Sequence, residues 1–141
     1  MRQAVWVIFF VVALAGVAIP GGESLAASSD SSGLTQQVAG GGVTVTATLL
    51  KDQGKGTAIK LALNTHSVGL DDYKLETLAM LSDETGKTYP VTAVEQAGGG
   101  GHHRQLVLRF GKLEPHAKTI ELIVKDVAGV KERIFRWSTA E

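Results

Sequence analysis

The chain has 141 residues, enough for one ordinary domain and too few for two once an N-terminal leader is set aside. Fourteen basic and fourteen acidic side chains cancel, and the leader holds one of each, Arg2 and Glu23, so the remainder offers no basic surface for nucleic acid or an anionic membrane. Cysteine is absent, which excludes a disulfide scaffold, thiolate catalysis, a thiolate metal site and the modified cysteine of a lipoprotein.

The first element is the leader. Arg2 precedes an apolar run from Ala4 to Ile19, then come Pro20, Gly21 and Gly22 and the small residues from Ser24 to Ser29, the three-part plan of a secretory signal. Ser24 and Ala26 satisfy the small-x-small rule, so a cut is expected after Ala26 or after Ala27, and residues 1–27 read as a signal peptide. The run falls just short of the roughly 18 apolar residues that span a bilayer. Retained as an anchor, it would make the membrane a partner; cut or retained, it places the domain outside the cytoplasm, secreted, periplasmic or at the cell surface. Residues 28–42, SSDSSGLTQQVAGGG, hold two scattered large apolar residues among Ser and Gly and read as a flexible spacer.

From Val43 to the C-terminus, short alternating runs closed by Gly, Asp or Pro predict an all-β domain over residues 43–141. Val43–Leu50 alternates Val43, Val45, Ala47 and Leu49 against three threonines. Residues 57–66 put Ile59, Leu61 and Leu63 on one face. Residues 74–82 fit a strand, although Leu75, Leu78 and Ala79 also make a helical stripe. Residues 88–95 carry Pro90, which cannot donate to a ladder and predicts an edge strand. The last three runs, 104–110, 119–126 and 132–138, face Leu106, Leu108 and Phe110, then Ile120, Leu122 and Val124, then Phe135 and Trp137 inward. Seven strands over about a hundred residues match the count of an immunoglobulin-like antiparallel β-sandwich, with a small open barrel as the alternative.

The stretches Asn64-Thr65-His66-Ser67-Val68 and Gly100-Gly101-His102-His103-Arg104, with Leu106 to Phe110 and Val127 to Trp137, resemble a family of small exported bacterial and archaeal proteins of unassigned function. The resemblance runs from about Val43 to Trp137 and implies export and a β-sandwich. Members place an aspartate after Ser-Val in the first stretch, where this chain has Gly69.

If consecutive strands run antiparallel, the loops after the second, fourth and sixth runs share one end. That end collects His66, Asp71 and Asp72, then His102, His103 and Arg104, then Asp126, and leaves His116 at the other. His66, His102 and His103 with Asp71 are the donor types for zinc or cupric copper, and the glycines Gly98 to Gly101 would give the adjacent histidines the irregular backbone that sharing one ion requires. Calcium at Asp71, Asp72 and Glu76 lacks a spaced run of oxygen ligands. The competing reading makes these side chains structural: His66 caps a strand end, His103 is solvated, and Arg104 pairs with Asp71 or Asp72 to tie two loops. No nucleophile elbow, zinc-protease helix, phosphate loop or carboxylate pair is present, so no catalytic residue is assigned. Two functions follow: a non-catalytic binding domain with a divalent metal at the histidines, or a protein-interaction module whose outward Val107, Ile123 and Ile134 form an apolar patch.

Overall fold

The computed structural model describes residues 24–29, 33–50 and 56–139. Period-two alternation places every second side chain on one face of a strand, and two sheets close over those faces. The six-stranded sheet runs in the order β2 (Ser28–Ser29), β3 (Thr35–Gly40), β4 (Val43–Leu50), β5 (Ala58–Thr65), β9 (His103–Phe110) and β8 (Val91–Gly100). The five-stranded sheet runs β1 (Ser24–Ala26), β11 (Val130–Ser138), β10 (Thr119–Val127), β6 (Ala79–Asp83) and β7 (Thr88–Tyr89). Neighbours pair antiparallel except β1, which runs parallel to β11. Among the described residues the one helix is the single turn α1 (Leu75–Leu78).

The inward rows follow from the register. Ala47, Leu61 and Leu106 lie side by side across the six-stranded sheet, and Leu81, Leu122 and Phe135 across the other. All are fully or almost fully buried, and each large side chain among them contributes roughly 1.5–3 kcal/mol by leaving water. Phe135 and Trp137 stack with their centroids 6.3 Å apart.

Four expectations need correction. Within residues 28–42, expected to be a flexible spacer, Ser28–Ser29 and Thr35–Gly40 are strands, β3 pairing along its whole length with β4 and β2 with β3, while residues 30–32 lie outside the described residues. The two large apolar residues suffice because Val38 is buried and inward Gln36 is satisfied through its side chain, which accepts from the Arg136 N–H at 3.0 Å and donates to the Arg136 carbonyl. Leu34 holds the strand's start, its carbonyl accepting from the Trp137 indole at 2.9 Å. The run 74–82 is both of its readings in turn, one helical turn and then β6.

The run 88–95 is two strands. The chain leaves the five-stranded sheet at Pro90, whose missing N–H ends β7, and enters the other sheet as β8. Both are edges, as expected. The edge at β8 is blunted by bulges at Val91/Ala93 and Glu95/Gly98, with Gln96 at a φ of 50°. Finally, Val107, Ile123 and Ile134 do not share a patch. Ile123 pairs with Ile134 on the five-stranded sheet, whereas Val107 lies on the other and is 2% exposed.

Candidate functional site: a cross-tied loop platform

Three of the four connections at one end of the sandwich are two-residue hairpin turns. Gly41-Gly42 joins β3 to β4, Gly101-His102 joins β8 to β9, and Ala128-Gly129 joins β10 to β11. Both residues of the first turn and both of the last have positive φ, 61° and 77°, then 53° and 74°, the backbone that matches strand twist in a tight hairpin. The fourth connection, residues 66–74, crosses from β5 to α1. The parity expected from antiparallel order therefore holds for the loops carrying His66, His102 and Asp126.

These loops touch. The Leu70 N–H donates to the Gly101 carbonyl at 3.0 Å, and the Gly101 N–H donates back to Asp71 Oδ1 and Oδ2 at 3.0 and 3.1 Å. The Thr65 N–H reaches the His102 carbonyl at 3.0 Å. Arg104 extends beneath the crossing loop and donates through Nη1 to the carbonyls of Leu70, at 3.0 Å, and Tyr73. On the other flank the Ala128 N–H donates to the Tyr73 hydroxyl at 3.1 Å. Thr65 Oγ1 donates to the Gly42 carbonyl at 2.7 Å while accepting from the N–H groups of Ser67 and Val68. A Cβ at Gly41 would overlap the Ala128 carbonyl oxygen and lie 3.1 Å from its carbon, so the two outer turns are in backbone contact.

Below this surface lies Arg133, which alternation directs inward with Phe135 and Trp137 and which is 0% exposed. Nη1 donates to the Val127 carbonyl at 2.7 Å and Nη2 to the Gly40 carbonyl at 2.6 Å, while Nε has no partner in the structure. Burial lowers its pKa from the ordinary value. Its two bonds join the last residues of β3 and β10, so the guanidinium bridges the two sheets directly under the turns.

The predicted site residues separate into two groups. Asp71, Arg104 and His103 are ties: His103 Nδ1 lies 2.7 Å from Asn64 Oδ1 on the neighbouring strand. Arg104 pairs with carbonyls, not with Asp71 or Asp72, because the crossing loop turns its backbone toward β9 and the Asp71 carboxylate toward the Gly101 turn. His66, Asp72, His102 and Asp126 are exposed and, among the described residues, make no side-chain hydrogen bond or ion pair. Among the described residues no group of three His, Cys, Asp or Glu side chains is gathered to hold a metal ion. Both Asp71 oxygens already accept from Gly101.

Sequence reasoning missed Tyr73, Arg133 and the turn pair Gly41-Gly42 with Ala128-Gly129. The turns had a readable signal, paired small residues between alternating runs. Tyr73 and Arg133 had none, since an isolated tyrosine in a loop and an arginine among strand charges look like surface residues.

Strands β5, β8 and β9 form a small depression beside the platform. It has a volume of about 200 Å³ and is lined by Ala62, Asn64, Gly99, His103, Arg104 and Gln105, below the ~300–1,000 Å³ usual for small-molecule sites. A larger one of about 470 Å³ lies at the opposite end, beside Asp83, Glu84, Glu121 and Arg136. Its acids are engaged. Asp83 accepts from the Thr85 hydroxyl at 2.6 Å, the Tyr89 hydroxyl at 2.7 Å and the N–H groups of Thr85 and Lys87, and these bonds, Thr85's first, hold its pKa at about 2. Glu84 is lowered chiefly by the Lys118 N–H, and Glu121 pairs with Arg136. No protein-family model, no curated protein and no solved structure matches the chain, so function rests on this geometry.

Proposed function

We propose that the chain is an exported, non-catalytic binding module: an immunoglobulin-like sandwich that offers the platform of turns at one end to a protein partner. Strand order supports the immunoglobulin-like part. From β2 to β5 the chain stays in the six-stranded sheet, crosses for β6 and β7, returns for β8 and β9 and crosses again for β10 and β11. The leader supports export, and the balanced charge argues against nucleic acid.

The observation that carries the reading is the division of labour on the platform. Backbone amides, Asp71, Arg104 and Tyr73 hold four connections together, while His66, Asp72, His102 and Asp126 are left exposed around them. A rigid set of loops with uncommitted polar side chains loses little conformational entropy on association. The shallow relief and blunted β8 edge favour a protein surface over a small molecule or an added strand.

The test is photo-crosslinking in the producing cells, with the probe at His66, Asp72, His102 or Asp126 in turn and at Glu114, at the opposite end, as control. A common adduct from platform positions and none from Glu114 is the expected result. Adducts from Glu114 alone, or from none of the positions, would overturn the proposal. Stoichiometric zinc or copper in the purified protein, lost in a His66, His102 and His103 triple alanine variant, would replace it with the metal reading.

A further inference from the structure

We infer that Ser24 to Ser29 is a working strap of the domain, so that processing of the leader falls before Ser24 and spares the two bonds that follow Ala26 and Ala27. The inference rests on the export reading for the existence of a processing step, and on geometry for its position.

The strap closes one open side of the sandwich. Ser24, Leu25 and Ala26 pair in parallel with Glu132, Arg133 and Ile134, and the Ala27 N–H continues the ladder to the Ile134 carbonyl at 3.1 Å. One residue later the chain joins the other sheet, where Ser28 and Ser29 pair with Gln37 and Gln36. A segment of six residues thereby caps the edge of β11 and the edge of β3. Further along, the Gln36 side chain takes over the same task, bonding the N–H and carbonyl of Arg136.

Packing points the same way. Leu25 and Ala27 are partly buried against the core. Gly40 has no positive φ, so its backbone does not demand glycine; what a Cβ there would meet is Leu25 Cδ1 at 2.6 Å and Val130 Cγ2 at 3.1 Å. The missing side chain leaves room for Leu25. Leu25 also stands in register with Arg133, the residue that bridges the two sheets. A cut after Ala26 or Ala27 would discard Leu25 and bare the β11 edge.

The small-x-small rule is met at more than one bond, at different structural cost. Upstream, Gly22 and Ser24 form such a pair, where a cut removes only Ser24 from the strap, and Gly16 and Ala18 form another, before Ile19 and Pro20, where a cut leaves the strap whole. An uncut leader leaves it whole as well.

The experiment is N-terminal sequencing and intact mass of the exported protein, made from the full chain and purified from the extracytoplasmic fraction. An N-terminus at or before Ser24 is expected; one at Ala27 or Ser28 would overturn the inference. A second pair of measurements separates the strap from export. In the full chain Leu25→Asp is expected to melt several degrees below the parent, and a chain starting at Ser28 is expected to melt lower than one starting at Gly21. Equal melting in both comparisons would overturn the strap even if the chain never left the cytoplasm, and cytoplasmic retention with a sensitive strap would remove only the export reading.

Discussion

Replacing Gly41 with alanine probes whether the turns at the platform end are in contact. Two costs are separable there. A φ of 61° puts an L side chain in the left-handed region, which costs roughly 1–2 kcal/mol. The new Cβ would also overlap the Ala128 carbonyl oxygen, and relieving such overpacking costs typically about 1–3 kcal/mol more. The sum is about 2–5 kcal/mol, a large share of the ~5–15 kcal/mol that holds a domain of this kind. Gly129 supplies the control, because its φ of 74° imposes the first cost while a Cβ there meets nothing within 4 Å. Urea unfolding of the parent, Gly41→Ala and Gly129→Ala is therefore expected to place Gly129→Ala about 1–2 kcal/mol below the parent, with Gly41→Ala lower still by the contact term. Equal losses in the two variants would refute the contact between the turns.

Arg133→Ala should cost about 3 kcal/mol or more, since it leaves the Val127 and Gly40 carbonyls without their donor and opens a void, whereas Arg136→Ala, an exposed ion pair with Glu121, should cost under ~1 kcal/mol; thermal unfolding distinguishes them. Arg104→Ala should lose about 2 kcal/mol by freeing two carbonyls, while His66→Ala and His102→Ala should stay within about 0.5 kcal/mol of the parent in the same assay. Asp83 makes stability pH-dependent on the acid side. Its carboxyl is lowered from 3.8 to about 2 in the folded protein, so its contribution is present above about pH 4 and disappears as pH falls through 2; Asp83→Asn should flatten that limb of a melting-temperature profile. Chelator or added zinc should leave the melting temperature unchanged, and a rise with zinc that disappears in the His66, His102 and His103 variant would count against the platform reading.

Much of the sandwich was legible because alternation is a local signal. Leu106, Leu108 and Phe110, or Ile120, Leu122 and Val124, declare their faces within one strand, and Pro90 marks an edge by chemistry alone, although the split into β7 and β8 around it was not read. What was illegible depends on partners distant in the chain. Residues 28–42 look unable to order themselves, and in isolation they lack the means; β3 acquires its order from β4 and from Gln36 bonding Arg136, 100 residues away. Arg133 likewise reads as one of the exposed charges of its strand until the carbonyls of Gly40 and Val127 are in place around it. The site shows the same limit. Antiparallel parity brought the right loops to one end, but which side chain ties and which is free was set by details such as Asp71 turning to the Gly101 N–H.

Amide hydrogen exchange at the platform tests the account most directly. The N–H groups of Thr65, Leu70, Gly101 and Ala128 all donate across loops, to His102, Gly101, Asp71 and Tyr73. Exchange resolved by residue is expected to find these four slowed alongside the neighbouring strands β5 and β9, as for one cooperative unit. Exchange at the rate of open loops, with β5 and β9 protected, would contradict a preformed platform and with it the proposed mode of binding.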